Sequence, residues 1–309
     1  MTRADIAASM DAALAWLVSR DSPESIIAAH EAGIATDPRD AQRWVSRVLA
    51  DQDAGGAWRG DLTATAHALM DVMEIRAAAT LQEQDPGIGR ALDWIRARRG
   101  VPGAWTDGCT PPRHRQGTCH HFLGGFFSPA PPEVVLESGA LRSGVAATGD
   151  SPARFIASLA ALQCLLAWQR DTADIRLHLE GVRRVASLWP AAPPPDLTLA
   201  CFLAAVRVLL HSPVEEDQQE ARRGVLLVSG KQRGDGSWVD IDPIQALELF
   251  GEASELGVAR EQARGALRHG ARLLQTTQSD NGSWGGEAPE RRALIAWRTL
   301  RRVSLLPQA

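Results

Sequence analysis

A short pattern recurs along this chain: Gln, three residues, Gly, one residue, Trp. It reads Gln52-Asp-Ala-Gly-Gly-Ala-Trp58, then Gln232-Arg-Gly-Asp-Gly-Ser-Trp238, then Gln278-Ser-Asp-Asn-Gly-Ser-Trp284. A weaker copy, Arg99 to Trp105, keeps Gly103 and Trp105 but has Arg in place of Gln. Each copy follows an amphipathic run and precedes a more apolar one. Trp58, Trp105, Trp189, Trp238 and Trp284 lie 47, 84, 49 and 46 residues apart. The long interval exceeds its neighbours by about 37 residues, an insertion in an otherwise regular period. A period of this length means stacked supersecondary units, none of which buries its apolar face alone. Within the motif, Gly admits a tight turn with positive φ. Trp supplies a large ring to place between neighbouring hairpins, and the Gln amide suits loop backbone.

The periodicities between the motifs are helical. Residues 4 to 19 carry Ile6, Met10, Ala13, Leu14 and Leu17 on one face, and Pro23 to Ala32 completes a degenerate first hairpin. Helices are expected over Asp40 to Ala50, Ala64 to Arg76, Ile88 to Arg98, Ser151 to Trp168, Ile175 to Leu188, and Asp196 or Thr198 to Leu210. Further ones follow over Glu215 to Ser229, Pro243 to Ala253, Ala259 to Gln275 and Pro289 to Val303. Asp61 or Thr63 and Ser151 are the expected N-caps in their stretches, with Pro152 suited to a first turn. No strand is expected. The alternate, nearly all-apolar helices read as an inner layer packed on both sides. The expected fold is therefore all-α, about six helical hairpins using 1–309 as a single domain, with an irregular insertion over about 107–150.

This repeat resembles that of squalene-hopene cyclases and related terpene cyclases, and more loosely that of protein prenyltransferase β subunits. The resemblance implies an α/α toroid (α6-α6 barrel): an inner ring of helices, an outer ring, and a central apolar cavity. It covers most of the chain at the level of the repeat.

The totals narrow the function. Of 309 residues, 45% are hydrophobic and 23% charged, an ordinary soluble composition, and the net charge of −4 argues against a nucleic-acid partner. The N-terminus has no basic stretch leading into a long apolar run, so no signal peptide is read there. No run is long and apolar enough to span a bilayer. A cytoplasmic location is the expectation, and four cysteines are too few for a disulfide scaffold. The sequence leaves room for peripheral membrane contact and for a homodimer.

Polar residues on otherwise apolar inner helices are the candidates for chemistry. Asp240-Ile-Asp242-Pro243 follows Gly236-Ser-Trp238 at the mouth of an inner helix. It resembles the D-x-D-D acid motif of class II terpene cyclases, with Pro243 in place of the last Asp. The match implies Asp242 as the acid that protonates an alkene or epoxide and Asp240 as an assisting carboxylate. The residues alone also permit ordinary helix capping by an Asp before Pro. Asp61 occupies the equivalent place in the second unit and reads as a cap. Substrate contacts are expected from His67, Arg154 and Arg291. Phe155, Phe202, Phe250 and Trp297 would form an aromatic wall suited to a carbocation. Cys164 and Cys201, on apolar helices, read as core.

The insertion holds Cys109, His114, Cys119, His120 and His121, side chains that zinc accepts, although their spacing is no standard finger. Phe122, Phe126 and Phe127 lie beside them and permit a lid instead. Three functions follow. The first is an acid-initiated cyclase or isomerase for a small isoprenoid-like or polyene-like substrate, needing no cofactor. The second is a zinc-dependent transferase or cyclase using the insertion. The third is a non-catalytic toroid that binds a hydrophobic ligand or a partner.

Overall fold

Helix starts in this protein are written in short polar side chains. Ser22 accepts from the Ser25 amide at 3.2 Å, Asp61 from Ala64 at 2.6 Å, Asp85 from Gly87 at 2.6 Å and Thr198 from Cys201 at 3.4 Å. Each occupies one of the amide donors that a helix leaves unpaired at its N-terminus. Pro23, Pro86, Pro243 and Pro289 stand in first turns, where a missing amide costs nothing.

The computed structural model describes residues 3–35, 37–81, 85–98, 127, 129–130, 134–168, 173–194 and 196–306. In chain order the helices are α1 (Arg3–Val18), α2 (Pro23–Glu31), α3 (Pro38–Ala50), α4 (Leu62–Ala78) and α5 (Pro86–Ala97). A small hairpin follows, β1 (Ser138–Ala140) and β2 (Ala146–Thr148). Then come α6 (Asp150–Ala167), α7 (Ala173–Ser187), α8 (Leu199–Leu210), α9 (Glu215–Gly230), α10 (Pro243–Leu256), α11 (Arg260–Thr277) and α12 (Pro289–Leu305). The helices stand where the periodicity puts them, within a few residues at either end.

Two expectations need correction. The described part of the insertion is not free of strands. Ser138 pairs with Thr148, Gly139 with Ala147 and Ala140 with Ala146, antiparallel. Three residues per strand, Ser-Gly-Ala and Ala-Ala-Thr, are too few and too small to carry a visible alternation. Ser151, expected as an N-cap, lies inside α6. The chain enters that helix from the hairpin through Gly149, whose φ of +101° suits only glycine. The Gly149 amide is held by the Glu137 carbonyl at 2.7 Å, which places the helix start at Asp150.

The chain divides into two compact units. The first comprises Met1–Ala41, Arg142–Val145 and Ala221–Ala309; the second comprises Gln42–Leu141 and Ala146–Glu220. In the first unit α10 packs on α11 and α12, α11 on α12, and α1 on α2, α11 and α12. In the second, α4 packs on α5 and α6, α8 on α6 and α7, and both strands on α6.

Helix composition follows position. Every residue of α8 from Cys201 to Leu210 is buried, as is every residue of α10 from Ile244 to Gly251. By contrast, α11 buries only Ala263, Ala266, Leu267, Gly270, Ala271 and Leu274. Those positions form one stripe at helical spacing, and apart from Gly265 and the half-buried Leu273 the rest of α11 is polar. Phe155, Phe202, Phe250 and Trp297 are among the largest fully buried side chains. Each such burial contributes about 1.5–3 kcal/mol. Cys164 and Cys201 are buried, as their apolar helices suggest.

The recurring motif is a clamp between hairpins. Its Gly has positive φ in every described copy: +99° at Gly56, +91° at Gly236 and +91° at Gly282. A Cβ there would meet a main-chain oxygen: Arg90 at 2.6 Å, His269 at 2.2 Å and Ala12 at 2.3 Å respectively. The Gln amide spans the same junction. Gln52 donates to the carbonyls of Gly56 and Gly87, Gln232 to those of Gly236 and Ala266, and Gln278 to those of Gly282 and Ser9, all at 2.9–3.1 Å. One bond closes the turn and the second grips a neighbouring helix. Trp58, Trp238 and Trp284 each donate their indole N–H ten residues back, to Val48, Val228 and Leu274. The ring thus lies back on its own preceding helix with its polar atom satisfied.

Candidate functional site

Asp242 ends the Trp238 turn and begins α10. Its Oδ1 accepts from the Ile244 amide at 2.9 Å and the Gln245 amide at 3.1 Å, which makes it the N-cap. Its Oδ2 accepts from the Arg292 guanidinium at 2.9 Å, across 50 positions of sequence. Arg292 stands in the first turn of α12, and its side chain is 14% exposed against 25% for Asp242. A proton donor must first carry a proton, and here both carboxylate oxygens face donors.

Asp240 does not join this group in any contact of the structure. It is exposed, with a φ of +56°, a conformation uncommon for a residue with a Cβ. Between the two aspartates, Ile241 turns inward and is 7% exposed.

One and a half turns further along α10, Glu248 meets Arg291 at 3.0 Å. Both side chains are nearly buried, 7% and 6% exposed. Arg291 and Arg292 are consecutive on α12, so two adjacent guanidinium groups tie α12 to two carboxylates on α10. Glu248 is the partner that the sequence reading did not single out. Its signal was present: it is a charged residue within an all-round apolar helix, where an ionised group needs a partner.

The aromatic residues named from sequence belong to the packing. Phe250 stacks on Trp238 at 5.8 Å between ring centroids, and Phe202 on Trp189 at 5.1 Å. Trp297 is 2% exposed with the Arg301 guanidinium 5.3 Å from its ring, and Phe155 is 1% exposed.

Arg154 is 4% exposed and fully engaged. Its Nε donates to both oxygens of Asp150, at 3.0 and 2.9 Å. Its terminal nitrogens donate to the carbonyls of Ala130 and Val134. It therefore fastens the end of the insertion to α6, and the Leu136 amide bonds the same Asp150. His67 is half-buried on α4 and takes part in an interaction there.

Cys109, His114, Cys119, His120 and His121 lie outside the described residues, as do Phe122 and Phe126. Phe127 is described, and it is buried rather than draped over an opening. Its main chain meets the Ser158 hydroxyl on α6 at 3.3 Å, and its ring lies 5.3 Å from that of His178 on α7. Among the described residues no group of His, Cys, Asp and Glu is arranged to hold a metal. Among the same residues no helix is long and apolar enough to cross a membrane.

The helical hairpins and their motif clamps define a terpene cyclase-like fold, an all-α architecture of the α/α-toroid class. The correspondence is with the type II terpene cyclase MstE from Scytonema, in two complexes. The structure with its product merosterolic acid A matches at a TM-score of 0.61 and 11% identity, over 98% of each chain. The structure with its substrate geranylgeranyl dihydroxybenzoate matches at 0.56 and 12% identity, over 98% of this chain and 99% of that one. No protein-family model and no curated protein sequence matches the chain.

Proposed function

We propose that this protein is a terpene cyclase-like enzyme. It would carry out acid-initiated cyclisation or isomerisation of a small isoprenoid or polyene substrate. The observation that carries this reading is end-to-end correspondence of fold with a type II terpene cyclase of the same length. Asp242, at the head of α10, is the proposed acid. Asp240 is the proposed assisting carboxylate. Phe250 and Trp297, in the same unit as Asp242, are the aromatic faces proposed to stabilise a cation, and each has to turn out of its packing to meet a substrate.

The step balances without a cofactor. The Asp242 carboxyl gives its proton to one carbon of a terminal alkene and leaves a cation on the other. The π electrons of the next alkene close a carbon–carbon bond onto that cation. A carbon beside the resulting cation then gives a proton to water, its C–H electrons forming the new alkene, and solvent re-protonates the Asp242 carboxylate, so product and substrate are isomers. Before each turnover Oδ2 must exchange its bond from Arg292 for a proton, which gives Arg292 a gating role in this reading.

Geranylgeranyl dihydroxybenzoate and shorter prenyl analogues are the substrates to try, with isomeric products resolved by chromatography and mass spectrometry. Asp242→Asn keeps a good cap and removes the acid. Product from the parent protein and none from Asp242→Asn is the expected result. Equal turnover by Asp242→Asn would overturn the assignment.

A second reading is favoured by one observation, that both oxygens of Asp242 are engaged by a cap and an ion pair. In that reading the chain binds a hydrophobic ligand or partner without turning it over. Binding of a prenyl compound with no product from the parent protein would decide for it.

A further inference from the structure

Within the second unit, away from the motif turns, a groove of about 480 Å³ opens between the C-terminal ends of α4 and α6. It is lined by Met73, Arg76, Ala77, Thr80 and Leu81 on one side and by Ala167 and Trp168 on the other. The volume is that of a small-molecule site. Most of the wall is apolar; besides the Thr80 hydroxyl, two polar groups break it.

The first is Arg76, half-buried in the last turn of α4. Among the described residues no carboxylate pairs with it. A cation there complements the negative pole at the end of α4, and among the described residues no side chain accepts from its guanidinium. The second is Trp168, the C-cap of α6. Its indole Nε1 is buried and meets no acceptor among the described residues. Buried N–H groups are normally bonded, and an orphan donor costs about 1–3 kcal/mol. The motif tryptophans Trp58, Trp238 and Trp284 all satisfy this atom. Trp168, which lines the groove, stands apart from them in having no acceptor for this atom among the described residues.

We propose that this groove binds a linear amphiphile with a carboxylate head, of the fatty-acid type. The carboxylate accepts from Arg76 and, once the ring shifts to bring its buried Nε1 to the groove, from the Trp168 indole, two donors with no acceptor among the described residues. The alkyl chain lies against Met73, Ala77, Leu81 and Ala167. The charge of Arg76 selects the anion over an alcohol of equal length. The site shares no residue with the proposed chemistry, and its occupancy does not depend on it.

The test is titration calorimetry of the full chain with dodecanoate, kept below its micelle concentration, with dodecan-1-ol and phosphatidylglycerol vesicles as comparisons. Saturable binding of one dodecanoate per chain is expected. Arg76→Gln should weaken it about tenfold or more, the scale of a charge-assisted bond, and leave dodecan-1-ol unchanged. Trp168→Phe should weaken it several-fold, and Ala77→Trp should abolish it by filling the groove. Circular dichroism shows that each variant is folded. No saturable binding, or equal affinity in Arg76→Gln, would overturn the proposal. So would vesicle association that depends on Arg76 in the absence of dodecanoate binding, since that would make the face a membrane contact.

Discussion

Gln278 donates its side-chain amide to the Ser9 carbonyl at 3.0 Å, joining residues 269 positions apart. The last copy of the motif therefore grips the first helix. The same bond made by Gln52 and Gln232 reaches a helix only about thirty-five residues away. One local device thus serves both as a link between sequence neighbours and as the fastening of the chain's two ends.

Gln278→Ala removes two bonds at once, to Gly282 and to Ser9. At about 1 kcal/mol net for each, a loss of about 2 kcal/mol is expected from urea denaturation. Amide exchange of α1 should quicken more than that of α10, because α1 loses its own tie to the motif.

Gly236 and Gly234 make a matched pair. Gly236→Ala places a Cβ 2.2 Å from the His269 carbonyl oxygen at a φ of +91°. Gly234→Ala meets nothing within 4 Å. We expect Gly236→Ala to cost about 3 kcal/mol and Gly234→Ala to change stability by less than about 0.5 kcal/mol. Comparable midpoints for the two variants would contradict the clamp.

The buried pair of Glu248 and Arg291 should show strong non-additivity. Arg291→Leu alone takes away the guanidinium that Glu248 meets at 3.0 Å in a nearly buried site, a loss of about 3–5 kcal/mol. Glu248→Leu added to it should recover most of that loss. A double-variant cycle reads the difference directly.

Asp217 gives a pH dependence with a definite sign. Its carboxyl is nearly buried, and burial raises its pKa above the ordinary 3.8 despite the Ser212 hydroxyl and the Arg183 guanidinium beside it. The folded state then holds the proton more tightly than the unfolded chain does. The resulting stabilisation is full below pH 3.8 and is lost as pH rises through the raised folded value. Asp217→Asn has no such proton to lose. The stability of the parent relative to Asp217→Asn should therefore fall as pH rises above 3.8, and a flat difference would refute the assignment.

What the sequence made legible is the part written locally. Asp61 and Thr198 cap the helices they precede, and the apolar stripe of α11 is its buried face. The cap at Asp242 was also readable, since it needs only the residues beside it. Its bond to Arg292, like that of Glu248 to Arg291, joins residues far apart in sequence, and nothing local announces such a partner. The β1–β2 hairpin escaped notice for the opposite reason. Its pairing is local, but its residues are too small to leave a pattern. Arg154 reads as a cation on an apolar helix, yet its acceptors at Ala130 and Val134 are main-chain oxygens that any residue would provide.

The same anonymity governs the motif clamp. Its far acceptors are the backbone carbonyls of Ser9, Gly87 and Ala266, so no side chain at those positions takes part in the bond. Residues along the gripped helices can be exchanged one after another while the grip persists. An architecture fastened in this way sets few demands on its letters, and the same fold stands at 11% identity over 98% of two chains.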